Sequence, residues 1–195
     1  MLPRLAACAL ACAVLLAGCG KDAVSFRNVD VTGADYAKDF ALTDHNGKPR
    51  TLADSRGKVV VMFFGYTQCP DVCPTTMAEM RAVVDALGAD GAKVQVLFVT
   101  VDPERDTQAL LAQYVPSFHP SFIGLHADAA TTTRTAQAYK VFFQKVPGST
   151  PGNYTMDHTA GSYVYDTQGR LRLFVRHGQA ASLVEDIRTL LKAAG

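Results

Sequence analysis

Two long apolar runs constrain this chain more than any other feature. They are Lys58-Val-Val-Val-Met-Phe-Phe64 and the stretch Lys93–Val101. A half-exposed strand alternates apolar and polar residues, so runs like these suit strands covered on both faces. Between them, Met77, Met80, Val83, Val84 and Leu87 recur at helical spacing. That spacing predicts a helix from Pro74 to Leu87, with Pro74 in its first turn and Gly88 at its stop. Strand, helix and strand together make a parallel crossover unit. The alternation continues with a helix over Asp106–Val115, capped by Asp106 or Thr107, a short strand Phe122–Leu125 and a helix Asp128–Tyr139. Phe40–Leu52 reads as a hairpin turning at Asp44-His45-Asn46-Gly47. Ala160–Tyr165 and Leu171–Val175 flank a second turn, Asp166-Thr-Gln-Gly169. The Pro/Gly-rich residues 146–155 read as a loop, and Ala180–Ala194 as a closing amphipathic helix. The expected class is α/β: a central mixed sheet flanked by helices, parallel at its centre, with an extra N-terminal hairpin.

The N-terminus has a different character. From Leu5 to Ala17 the chain is uncharged and apolar, and Arg4 is the only charge before it. Thirteen such residues are too few for a hydrocarbon core about 30 Å thick, but they suit the apolar region of a signal peptide. The run ends in Leu16-Ala17-Gly18-Cys19, small residues before a cysteine, as in a bacterial lipoprotein signal. The expectation is a signal peptide over 1–18, lipidation of Cys19, a tether over 19–35 and a folded domain over 36–195. Extended, residues 20–35 reach about 50 Å. Such a lipoprotein sits at the cell membrane with its domain facing the periplasm. Gly20 and Lys21 after the lipid cysteine leave the choice of membrane leaflet open.

Charge excludes one class of partner. Nineteen basic residues against eighteen acidic give +1, and loss of Arg4 with the leader makes the mature chain neutral. A nucleic-acid binder needs a basic footprint that this balance does not supply. Five cysteines are an odd number for a disulfide framework. Cys8 and Cys12 fall in the leader and Cys19 takes the lipid, which leaves Cys69 and Cys73 for the domain.

Those two lie in Phe64-Gly-Tyr-Thr-Gln-Cys69-Pro-Asp-Val-Cys73-Pro74, where a buried strand gives way to a helix. Four residues apart at a helix start, both sulfurs can face one side, beside backbone N–H groups that favour thiolate. In an exported protein the pair can close a disulfide or hold a soft metal. Two thiolates sharing one metal at about 2.3 Å stand roughly 4 Å apart, wider than the ~2.05 Å of a disulfide, and a three-residue spacer permits that. No Lys or Arg lies between Tyr66 and Thr76, and Asp71 stands between the cysteines. A carboxylate there opposes thiolate formation unless a cation is present. Among His45, His119, His126, His158 and His177, only His158 follows a mobile-looking loop and begins a strand, with Asp157 beside it. It is the candidate third ligand, with Asp157 a candidate to orient it. Met156, two residues away, reads as core. The residue types also admit zinc, a structural disulfide, a thiol–disulfide oxidoreductase or a peroxidase.

Three motifs narrow these options. Gly65-Tyr-Thr-Gln-Cys-Pro-Asp-Val-Cys-Pro74, Val101-Asp-Pro-Glu-Arg-Asp-Thr107, and Asp157-His-Thr followed by a Tyr-containing strand and Asp166-Thr-Gln-Gly169 together resemble the Sco/SenC family of copper chaperones. The likeness spans about residues 35–194. It implies a thioredoxin-like fold and one copper, as Cu(I) or Cu(II), held by Cys69, Cys73 and His158. It also implies a redox-active Cys69–Cys73 disulfide; from the residues themselves, Asp71 and Asp157 are the candidates for outer contacts. The partners it implies are subunit II of cytochrome c oxidase, whose CuA centre such proteins help to assemble, a copper donor protein and a periplasmic thiol reductant. Some relatives are proposed as thiol–disulfide reductases or redox sensors. Gln68 departs from the histidine that many relatives carry before the first cysteine. Val101–Thr107 reads as architectural.

Overall fold

The computed structural model describes residues 25–193. The signal peptide and Cys19 of the sequence reading lie outside these residues. No helix among the described residues is long and apolar enough to cross a membrane.

An eight-stranded mixed sheet forms the centre. Its strands are β1 (Val29–Asp30), β2 (Ala41–Asp44), β3 (Pro49–Thr51), β4 (Val59–Gly65), β5 (Val94–Thr100), β6 (Ile123–His126), β9 (Gly161–Tyr165) and β10 (Leu171–Arg176), in the order β1-β10-β9-β4-β5-β6-β2-β3. The pairs β4–β5 and β5–β6 are parallel, and β9 runs antiparallel to β4. Every residue of β4 and β5 is buried, which is why neither strand alternates in sequence. Helices α1 (Val72–Ala86), α2 (Gln108–Phe118), α3 (Ala129–Ala138) and α4 (Leu183–Lys192) surround the sheet. Helix α1 packs against both α4 and α2. Thr107 and Asp128 cap α2 and α3 by accepting from Leu110 N–H and Thr131 N–H.

The expected elements are present, with three differences. Residues 146–155 are not a simple loop. Strands β7 (Phe143–Pro147) and β8 (Tyr154–His158) pair antiparallel around a short turn and form a separate two-stranded sheet. His158 therefore ends a ribbon strand rather than beginning a central one. Second, part of the segment expected as a tether is folded. Asp186, buried in α4, accepts hydrogen bonds from the backbone N–H groups of Arg27 and Asn28, and Val29–Asp30 pair with β10. Third, α1 begins at Val72, two residues ahead of Pro74.

Candidate metal centre

Strand β4 delivers the chain to Gly65, a turn follows, and α1 begins three residues after Cys69. Cys69 N–H donates to the Tyr66 carbonyl at 3.3 Å. Cys73 occupies the first turn of α1, where a backbone N–H has no helical acceptor. Its N–H donates instead to Cys69 Sγ at 3.4 Å, so the helix start orients the first sulfur. A Cβ on Gly65 would lie 2.8 Å from Cys73 Sγ and 2.8 Å from the Phe63 ring. Glycine is required there because the second sulfur packs against the strand end. Cys73 is fully buried, Cys69 is half-buried, and both are free thiols.

The third group comes from far along the chain. His158 Nε2 lies 3.4 Å from Cys73 Sγ across 85 residues of sequence. One ligand atom from each of Cys69, Cys73 and His158 lies within 4.8 Å of the others, and this is the one such group among the described residues. His158 Nδ1 faces the Thr159 carbonyl at 3.2 Å, which assigns the ring proton to Nδ1 and turns the Nε2 lone pair toward the sulfurs. The rings of Phe63 and Tyr66 each stand edge-on to the imidazole at 6.0 Å.

Burial pushes the Cys73 thiol far above the ordinary range, and the neighbouring Cys69 and Asp106 act in the same direction. Burial holds His158 below the usual imidazole range, against the Thr159 bond and the Asp157 charge. Both groups are therefore held in their neutral forms, a thiol beside an imidazole. A cation entering the site must displace the Cys73 proton, and its own charge reverses the local preference for the neutral thiol. Two soft sulfurs and one nitrogen in a half-open position suit a soft or borderline metal with room for an incoming ligand.

The other sequence candidates are placed elsewhere. Asp71 is exposed and accepts from the Thr75 hydroxyl of its own helix at 3.5 Å. Asp157 is exposed and adjacent to His158, on the opposite face of the ribbon; the Thr159 carbonyl, not this carboxylate, holds Nδ1. Met156 is buried, as expected of core. His45, in the turn of the β2–β3 hairpin, is buried and accepts from Gly124 N–H at 2.9 Å. His119 bonds Ser121, and His177 faces the Thr76 hydroxyl.

Sequence reasoning missed the support beneath the cysteines. Thr67 donates to the Asp106 carboxylate from its N–H at 3.0 Å and from its hydroxyl at 2.6 Å, and Thr100 Oγ1 adds a third bond at 2.6 Å. Burial raises the Asp106 carboxyl despite these bonds. The Val101–Thr107 motif, read from the sequence as architectural, thus anchors the cysteine turn through Asp106, a partner its own sequence does not announce. A surface groove of about 590 Å³ between Thr32–Lys38 and Gly169–Arg172 shares no residue with the centre.

Comparison with known proteins agrees with this geometry. The SCO1/SenC family model matches residues 29–192. Mouse SCO2 homolog, a mitochondrial protein, is 39% identical over 158 residues, covering 80% of this chain and 62% of its own length. The chain thus spans about three fifths of that relative. Among solved structures, Bradyrhizobium japonicum ScoI with copper bound is 42% identical, with TM-score 0.72 over 78% of this chain and 98% of that one. The apo Sco1 protein of Thermus thermophilus is 38% identical, with TM-score 0.76 over 86% and 98%. The thioredoxin-like fold expected from the motifs is the fold of these neighbours. A helix-capped cysteine pair, a distant histidine turned toward it and a match over nearly the whole described chain converge on one conclusion: the chain belongs to the SCO1/SenC family.

Proposed function

We propose that this protein is a copper chaperone that binds one copper ion through Cys69 Sγ, Cys73 Sγ and His158 Nε2. The observation that carries this reading is the convergence of those three atoms from two separate segments, with Nε2 turned inward by the Thr159 carbonyl. Two thiolates suit Cu(I), and the imidazole makes Cu(II) tolerable. Three ligands leave a position through which an acceptor ligand enters before a donor leaves. The copper-bound Bradyrhizobium relative supports the choice of metal. The recipient we propose is subunit II of cytochrome c oxidase, at its CuA site, with the protein held at the membrane by lipid on Cys19. A copper donor protein would load it, and a periplasmic thiol reductant would keep Cys69 and Cys73 reduced, because their disulfide cannot ligate copper.

Copper titration of the reduced full-length protein tests the reading. One copper per chain is expected, with affinity lost in Cys69→Ser and Cys73→Ser. Undiminished tight binding in both would overturn it. Anaerobic transfer to apo subunit II, followed by the appearance of CuA absorption, tests the recipient.

A second reading rests on the sulfur arrangement alone. Cys69 is the accessible sulfur and accepts a helix N–H, while Cys73 lies buried behind it, as in an attacking and resolving pair. In a thiol–disulfide exchange the two thiols become a disulfide while a target disulfide takes up both electrons and both protons. Turnover that survives His158→Ala but not either cysteine change supports this reading.

A further inference from the structure

We infer that Arg105 is the positioning residue that sets His158 in register with the two cysteines, an inference that rests on the copper-site reading. The ribbon carrying His158 is a separate two-stranded sheet, with no ladder pairing to the eight-stranded sheet. Such a ribbon has little stability of its own and takes its place from side-chain contacts. The cysteines are fixed independently, at the junction of β4 and α1. Some group must tie the two pieces together, and Arg105 touches both.

Its guanidinium Nη1 donates to the Tyr154 carbonyl at 2.9 Å, in the same strand as His158 and four residues before it. The same nitrogen donates to Gln68 Oε1 at 3.1 Å, on the residue preceding Cys69. The guanidinium carbon stands 3.5 Å from the centre of the Tyr154 ring and 5.7 Å from that of Tyr66. Behind it, Arg105 Nε donates to the buried Asp102 carboxylate, whose other oxygen accepts from the Tyr154 hydroxyl at 2.8 Å. Asp102 therefore orients Arg105 and grips the ribbon at once. The planar fork of arginine suits this arrangement, because one rigid group reaches three acceptors while its face stacks on an aromatic ring. Lysine offers the charge and the ring contact without the fork. Arg105 is absent from the local sequence of both the cysteine turn and the ribbon, and only the fold brings it between them.

The chemistry gives a readout that general destabilisation would not mimic. Two thiolates suffice for Cu(I), whereas Cu(II) depends on the imidazole nitrogen. A variant that lets the ribbon drift should lose Cu(II) selectively. The test is Arg105→Gln and Arg105→Lys in the reduced full-length protein, with competition titrations of Cu(I) and Cu(II) and electron paramagnetic resonance of the Cu(II) form. Cu(II) affinity is expected to fall about 10- to 100-fold in Arg105→Gln, with weakened nitrogen coupling and little change for Cu(I). Arg105→Lys should fall between that variant and the unaltered protein. Adding Arg105→Gln to His158→Ala should cost nothing further. Unchanged Cu(II) affinity and nitrogen coupling in Arg105→Gln would overturn the inference. So would equal loss of both oxidation states, or a loss additive with His158→Ala. Should Arg105→Gln fail to fold, Gln68→Ala, which cuts only the link to the cysteine turn, must show the same selective loss in smaller degree, and unchanged Cu(II) affinity there overturns the inference. Cys69→Ser and Cys73→Ser that bind copper as tightly as the unaltered protein overturn the copper-site reading itself, whatever Arg105 does.

Discussion

Cys69 and Cys73 sit where a seven-residue strand, buried along its whole length, runs into a fifteen-residue helix. His158 sits at the end of a five-residue strand in a two-stranded ribbon whose residues are mostly half-buried or exposed. The sulfurs are held by backbone geometry: a helix N–H on Cys69 Sγ, a glycine beneath Cys73 and a buried carboxylate on Thr67. The imidazole is held by side chains and one carbonyl. One half of the centre inherits the rigidity of the core, and the other is docked onto it. The two sulfurs are thus set by the core, and the nitrogen stands on a ribbon with little stability of its own.

The largest effect should separate the two halves. Cys73→Ser is expected to lower affinity for both copper oxidation states by more than the roughly 100-fold that outer contacts are worth, whereas His158→Ala should spare Cu(I). Competition titrations check this, and equal loss in the two variants would break the comparison. Next comes pH. The buried Cys73 thiol stays protonated well above the ordinary thiol range, so copper must expel that proton. Affinity should rise about tenfold per pH unit from this proton alone. His158, held neutral by burial, should add no steep loss until the pH falls below the usual imidazole range. A flat profile near neutral pH would show that Cys73 does not ligate as a thiolate.

Gly65→Ala sharpens the rigid half. Its new Cβ would press on Cys73 Sγ and Phe63 inside a packed core, at a cost of about 1–3 kcal/mol seen in thermal or denaturant unfolding. Copper affinity should drop with it, because the sulfur has nowhere to retreat. The smallest effects belong to the ribbon surface. Lys145 and Glu104 form an exposed pair at 2.8 Å, so Lys145→Ala should cost under about 1 kcal/mol. Asp157→Asn should leave copper affinity unchanged, since the Thr159 carbonyl holds Nδ1. A tenfold loss in that variant would give the carboxylate a role that its position denies it.

Much of the rigid half was legible in the chain. Unbroken apolar runs announce strands buried on both faces, and a prolyl-flanked cysteine pair after such a run announces a strand-to-helix turn. These are local signals, carried by neighbours in sequence. The ribbon was not legible. Residues 146–155 read as loop, yet Val146↔Thr155 and Pro147↔Tyr154 pair within them, and Gly148, Pro151 and Gly152 lie in the turn between. The proposed tether misled in the same way. Arg27 and Asn28 look like linker residues until the buried Asp186, 158 positions and more away, takes up their N–H groups.

By itself the sequence determined the class of fold, the pair of sulfurs and, through three motifs in order, the family. The tertiary structure alone decided which nitrogen of His158 faces them, that a carbonyl rather than Asp157 fixes it, and that Asp106 and Arg105 support the centre. The physical reason is the range of the signals. Strand burial, helix starts and metal-ligand types are written in residues a few positions apart. The contact between His158 and Cys73 spans 85 positions, and a backbone carbonyl leaves no mark in sequence at all.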